Sequence, residues 1–225
     1  MTQAKSISPN TMAEIPDLET ITQRLRAGDL AAAGELFTAC RDRLKRMVRL
    51  RLDRRLQGRL DASDVLQEAF LDVRKKAADF AAKPEMPAYL WLRLITAERL
   101  LILHRQHLGA QMRDAAQEVS LARGGLPAAS THSLANLLLG RLTSPTQAAI
   151  RAERQHRLQE ALNLMDALDR EVLALRHFEE LTNGEVATVL GLTKSAASNR
   201  YIRALKRLKE ILSAVQYNKP NTFAE

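Results

Sequence analysis

The chain has 225 residues, 46% hydrophobic and 27% charged, the composition of a folded polypeptide rather than a disordered or collagenous one. Its formal net charge of +8 and pI near 10.0 favour a polyanionic partner, nucleic acid before an anionic membrane, because basic residues recur in several segments instead of on one amphipathic helix. The single cysteine, Cys40, excludes an internal disulfide and a cysteine-based zinc site; no apolar run is long enough to insert into a bilayer, the Met1 to Asp17 stretch is too polar for a secretory signal, and the expected location is the cytoplasm.

Residues 1 to 16 lack periodicity and read as a mobile tail. From Asp17 the pattern is helical: Leu18, Ile21 and Leu25 share a face, and Gly28 ends it. Asp29 is placed to cap the next helix, which runs through Phe37, Leu44, Met47 and Val48, with Cys40 in its core-facing stripe. That helix ends in a basic run from Arg41 to Arg59, for which a solvated face and a functional patch are equally good readings. The stretch DASDVLQEAFLDV, Asp61 to Val73, follows. Val65, Leu66, Ala69, Phe70 and Val73 keep helical spacing and face a core, while Asp61, Asp64, Gln67, Glu68 and Asp72 lie on the remaining surface. Either this acidic face pairs with the basic helix before it, or it docks a basic partner.

Lys83 to Pro87 reads as a loop, and a long apolar helix then starts near Tyr89 and turns basic near His104, Arg105 and His107. Aromatics are only 4% of the chain, yet Tyr89 and Trp91 stand together near Phe80. Rings beside arginines can stack on unpaired bases. A tryptophan at a helix start is more often core, so Trp91 is assigned to the core and Tyr89 to the more exposed position. His104 and His107 have the spacing of two ligands on one face, but no third ligand is evident and no metal is expected. Residues 109 to 144 form a linker by composition, with Gly124-Gly125 and Pro127, and Leu134 with Leu137 to Leu139 support a short helix inside it. Helices resume after Pro145: Leu158, Leu162 and Met165 form one stripe, and Val172, Leu173 and Phe178 continue it. No strand pattern appears. The expected fold is all-α, with helical domains at 17–108 and 145–213 joined by a flexible linker and a short tail at 214–225.

The stretch Leu181 to Leu212 reads as two helices joined by a tight turn. Thr182 and Glu185 have capping-box spacing, flanked by Leu181 and Val186 as a hydrophobic staple. Gly191 suits the left-handed residue that ends the first helix, and Thr193 or Ser195 caps the second. Ile202, Leu205, Leu208 and Leu212 are expected to make its packing seam, leaving Asn199, Arg200, Arg203, Lys206 and Arg207 outside. No acidic residue falls between Val186 and Lys209, whereas Asp166, Asp169, Glu171, Glu179 and Glu180 crowd the preceding run. A basic second helix after a glycine turn fits a DNA-binding helix-turn-helix. The bland alternative is a helical hairpin with a solvated basic face. No phosphate loop, HExxH or nucleophile elbow is present, so no enzyme is expected.

Taken together, these segments resemble an extracytoplasmic-function (ECF) sigma factor of bacterial RNA polymerase over about Asp17 to Leu212. Asp61 to Val73 is similar to the family's polymerase-docking helix. Trp91-Leu92 opens a helix ending in His104-Arg105, similar to the segment that melts and reads the −10 element. Ala161 to Leu212 is similar to the four-helix domain that reads the −35 element. The resemblance implies no cofactor and no catalysis, with core RNA polymerase and promoter DNA as partners and an anti-sigma factor as a further one. By motif it implies that Asp64, Gln67, Glu68 and Leu71 contact the clamp helices of the polymerase's largest subunit. Ser195, Ala197, Ser198, Asn199 and Arg200 would enter the major groove, Arg203, Lys206 and Arg207 would hold phosphates, and Tyr89 and Arg105 would meet the −10 DNA. Glu98 and Ile102 stand where family members often carry asparagine and aspartate. The family's linkers are often acidic, and this one has no acidic residue between Val119 and Ser144. The alternative function is a stand-alone helix-turn-helix regulator; an all-helical adaptor is a third.

Overall fold

The computed structural model describes residues 17–108, 128–140 and 148–217, and every regular element among them is a helix. The expected tails and most of the expected linker lie outside the described residues. The first helix, α1 (Leu18–Arg26), is ended by Gly28, whose φ of 96° is open to glycine and strained for other residues. The second, α2 (Ala32–Arg51), buries Leu36, Phe37, Cys40, Leu44, Met47 and Val48. Asp29 does not cap it through a standard N-cap position; its carboxylate is divided between the Ala31 amide and the Arg24 guanidinium. After α2 come α3 (Ala62–Lys75), the short α4 (Ala77–Ala81) and α5 (Ala88–Leu108). Helix α3 starts on a capping box that the sequence reading overlooked. The Asp61 carboxylate accepts from the Asp64 amide, and the Asp64 carboxylate accepts from the Asp61 amide at 2.8 Å. The signal was present as a D-x-x-D spacing.

Helices α1 to α5 share one core, in which Phe80 stacks at a tilt on Trp91 with ring centroids 4.8 Å apart. Trp91 is core, as its position at a helix start suggested. The short helix expected around Leu134 is present as α6 (Thr131–Gly140). It buries Leu134 and Leu139 in a second core with Leu158 and Leu162 of α7 (Ala148–Asn163), Leu173 of α8 (Ala167–Leu173), Met165 between those helices and Phe178 after them. Helix α8 runs on into a π-helical turn, Ala174–Phe178. The chain closes with α9 (Asn183–Leu190) and α10 (Lys194–Tyr217).

The two cores meet around segment 178–181, and charge dominates the contact. The Glu179 side chain is fully buried and forms ion pairs with Arg51, also fully buried, and with Arg93 at 2.7 Å. Arg51 is shared with Glu171. Arg46 donates to the Phe178 carbonyl and Arg43 to the carbonyls of Glu179 and Glu180, while Arg46 also pairs with the Glu180 carboxylate at 2.7 Å. Glu180 has a left-handed φ of 57°, a conformation that these bonds hold in place. Three arginines of the basic run on α2 are thus spoken for by the second half of the chain. Leu181, Val186, Ala187 and Ala197 also enter the first core beside them.

Burial alone would raise the Glu179 pKa, but Arg51 and Arg93 outweigh it and hold the carboxyl below its ordinary value of 4.5. The sign follows from linkage: the folded value is depressed, so the stabilisation is complete above about pH 4.5 and is lost as pH falls through the folded value. Removing one partner from a buried ion pair strands the other charge and costs ~3–5 kcal/mol. Glu179→Ala should lower stability by that amount in urea unfolding at neutral pH. Glu179→Gln should show a shallower loss of stability than the parent chain as pH falls below about 4.5, where this linkage acts.

Candidate nucleic-acid interface

The helix-turn-helix is built as its sequence dictates. Thr182 Oγ1 accepts from the Glu185 amide at 3.2 Å, and the Glu185 carboxylate accepts from the Thr182 amide at 2.7 Å. Leu181 and Val186 are both buried where a staple packs. Gly191 takes φ 62°, and Thr193, not Ser195, caps α10 by accepting from the Ala196 amide. Asn183 ties the start of α9 to that of α10 by donating to the Lys194 carbonyl at 2.8 Å.

The packing seam of α10 differs from the expected one. Ala197, Ala204, Leu208 and Ile211 are buried, with Tyr201 half-buried between them, whereas Ile202 and Leu205 are exposed. The choice turns on residue size. Two alanines let α10 lie close against its neighbours, and the larger Ile202 is left on the opposite side. Tyr201 completes the seam through a 2.9 Å bond between its hydroxyl and His177 Nε2.

This register sorts the anticipated DNA-binding residues. Ser195, Asn199, Arg203, Lys206 and Arg207 are exposed and Ser198 is half-buried, so they share the accessible surface of α10. Ala197 is fully buried and has no surface to offer a base, which corrects its inclusion among groove-facing residues. Arg200 is engaged within the fold: its guanidinium donates to Asp169 at 2.7 Å and to Asp166 at 3.3 Å, at the start of α8. Those aspartates belong to the acidic cluster seen in the sequence, and here they tie α10 to the start of α8. Arg207 lies near Glu210 at 3.5 Å, both exposed.

On α5 both rings are buried, so the expectation for Trp91 holds and that for Tyr89 does not. Tyr89, expected to be the accessible ring, is 2% exposed. The Arg43 guanidinium lies 3.6 Å from its ring centre, and burial together with nearby Glu179 pushes its phenol well above the ordinary value. Arg105 is exposed, as are Glu98 and Ile102, and Glu98 pairs with Lys76 at 2.6 Å. His104 is buried and accepts from the Asp53 amide; burial, opposed by Asp53, keeps its pKa low. Its ring therefore serves the packing between α2 and α5.

The remaining surface is on α3. Asp64, Gln67 and Leu71 are exposed and Glu68 half-exposed, on one face at helical spacing. Glu68 and Asp72 pair with Arg99 of α5, so part of the acidic face is neutralised within the fold. Leu71 is 55% exposed, the one large apolar side chain on this polar face.

Residues 155–208 match the family model described as Sigma-70, region 4, which spans α7 through most of α10. Over 94% of its length the chain is 30% identical to the ECF RNA polymerase sigma factor SigD of Mycobacterium bovis, covering 92% of that protein. The chain belongs to the ECF sigma factor family. SigD of Mycobacterium tuberculosis matches to the same extent. Among solved structures, CnrH in complex with the cytosolic domain of CnrY shares the fold, with a TM-score of 0.50 and 22% identity over 87% of this chain and 96% of that one. The match to SigD takes in α3 and α5 as well as the helix-turn-helix, which favours a sigma factor over a stand-alone helix-turn-helix regulator. No helix among the described residues of this sigma factor is long and apolar enough to cross a membrane.

Loss of an N-cap hydroxyl typically costs ~1 kcal/mol. Thr182→Ala should lower the stability of this sigma factor by that order in thermal melts, and Thr182→Ser should restore most of it. A melt unchanged by Thr182→Ala would mean that tertiary packing alone sets the start of α9.

Proposed function

We propose a division of labour along this sigma factor, which binds core RNA polymerase, directs it to promoters and helps open the DNA. The docking surface is the α3 face of Asp64, Gln67, Glu68 and Leu71. The observation that carries this is an exposed leucine on a polar helix face, with Gln67 and Glu68 one turn before it and Arg74 and Lys75 one turn after. An apolar centre with a polar rim is the anatomy of a protein interface. The polymerase's clamp helices are its partner. Asp64 is also part of the helix cap, so its substitution mixes folding with binding. Leu71 is the cleaner probe. Leu71→Asp should reduce capture of core polymerase by at least about tenfold, a modest loss for one interface anchor, while the melting temperature stays within a degree or two. Undiminished capture in a pull-down would remove this face from the model.

The −35 element is read by the exposed side of α10, where the amino-terminal turns reach base edges and later turns meet phosphates. Ser195, Ser198 and Asn199 lie in the first turns, followed by Arg203, Lys206 and Arg207. Arg200 sets the helix's orientation through Asp166 and Asp169 rather than reading a base itself. Asparagine suits adenine, whose N6 and N7 it can bond together. Asn199→Ala should relax preference at one base position at a cost of ~1–3 kcal/mol. Lys206→Ala should weaken binding to all sequences and flatten the salt dependence by about one unit of slope. Selection of −35 sequences from a random pool, paired with a salt titration of each mutant holoenzyme, separates the two roles.

At the −10 element the exposed Arg105 end of α5 meets the backbone. Tyr89 can stack on a base only after the segment that buries it has moved away from Arg43. The sigma factor acts in the cytoplasm and has no catalysis and no cofactor of its own. A groove of about 1190 Å³ between α5 and the helix-turn-helix, lined by Met86, Leu90, Leu94, Val189 and Leu192, would seat an apolar helix of an anti-sigma factor.

A further inference from the structure

The reading of α10 as a major-groove helix leaves its two exposed apolar side chains, Ile202 and Leu205, without a role, and Ile202 is the more exposed of the two. Ile202 is 60% exposed, although α10 already has a complete packing seam in Ala197, Tyr201, Ala204, Leu208 and Ile211. Helix propensity does not call for it either, since a β-branched residue is a poorer helix former than leucine or lysine. Its neighbours one turn away are Ser198 and Asn199 on one side and Leu205 and Lys206 on the other, with Arg203 adjacent. A branched apolar group thus sits among hydroxyl, amide and cationic groups, on a helix with no acidic residue from Lys194 to Lys209. The charge around it fits DNA better than a protein of ordinary acidity. Within the major groove only one base edge is apolar, the C5 methyl of thymine.

We propose that Ile202 is a specificity-determining residue that packs against the C5 methyl of a thymine in the −35 element. This rests on the placement of α10 in the major groove and adds to it a base identity that no hydrogen-bonding residue supplies. Asn199, one turn earlier, is placed to take an adjacent adenine, so the two residues together favour an A·T-containing step. The outward position of Ile202 then has a physical reason. Its apolar surface is covered by DNA when the holoenzyme is bound, and solvent meets it only in between.

The test uses holoenzyme assembled from the full chain and a −35 duplex selected from a random pool. Each thymine in turn is replaced by deoxyuridine, which removes the methyl and leaves every hydrogen-bonding group in place. The parent holoenzyme should lose about fourfold in affinity at one thymine, the value of one buried methyl-sized group. Ile202→Ala should lose a similar factor on the unmodified duplex and be indifferent to deoxyuridine at that position, while Ile202→Val should keep the sensitivity. Tolerance of every deoxyuridine by the parent, or undiminished sensitivity in Ile202→Ala, overturns the proposal while leaving α10 in the groove. Failure of Ile202→Ala to assemble with core polymerase, with deoxyuridine sensitivity retained in the holoenzyme that does form, would assign the residue to polymerase docking and overturn it as well. If no sequence is selected by the parent holoenzyme, the placement of α10 itself falls.

Discussion

A single carboxylate, Glu179, decides how the two halves of this chain meet. A fully buried charge is tolerated only when it is paired and hydrogen-bonded, and Arg51 and Arg93 provide that pairing from two different helices. Because Arg51 also binds Glu171, and Arg43 and Arg46 hold the carbonyls of residues 178–180, the loop before the helix-turn-helix is fixed to α2 and α5 at many points. Such a contact contributes little net stability compared with an apolar one, but it is specific. Any other docking of the same helices leaves a buried charge alone. The position of α9 and α10, and the burial of Tyr89 beneath Arg43, follow from it.

Helix α10 shows how packing divides one helix between two tasks. Alanines at 197 and 204 bring its inner side close to its neighbours, and Tyr201 fills the gap between them with a bond to His177. Arg200 closes the rim by pairing with Asp166 and Asp169. The acidic residues upstream therefore do more than separate charge along the chain. They take up one cation of α10 and leave Arg203 and Lys206 exposed, with Arg207 beside Glu210. Surface pairs of this kind are individually weak, so their worth lies in orientation more than in stability.

Helix α3 carries a comparable compromise. Asp64 caps the helix and stands on its exposed face, while Glu68 and Asp72 share Arg99. Of the two explanations for an acidic helix following a basic one, internal pairing accounts for Glu68 and Asp72, while Gln67 and Leu71 stay exposed on the same face. The internal pairing is with Arg99 of α5, not with the basic run of α2. Three arginines of that run, Arg43, Arg46 and Arg51, are engaged with the far half of the chain instead.

Local chemistry was legible in the sequence where the partners lie within a turn or two of each other, the Asp29 cap and the Asp61–Asp64 box excepted. The Thr182–Glu185 capping box, the left-handed Gly191, the end of α1 at Gly28 and the helix around Leu134 all follow from spacing, because their energetics involve only neighbouring backbone groups. The core positions of Cys40, Leu158, Leu162 and Met165 follow from helical period, and that of Trp91 from its place at a helix start. The order of docking, recognition and linker segments was sufficient for the family. What the sequence could not provide was the choice between equivalent faces and the pairing of distant charges. Ile202 and Leu205 have the period of a seam as good as that of Ala197 and Ala204, and only the close approach of neighbouring helices favours the smaller pair. Arg51 and Glu179 are ordinary members of a basic run and an acidic run, and nothing local marks them as partners. Tyr89 is buried because that partnership brings Glu179 and Arg43 to its ring. Tertiary structure decided these points because each depends on two surfaces meeting, and the period of one helix carries no record of what it will meet.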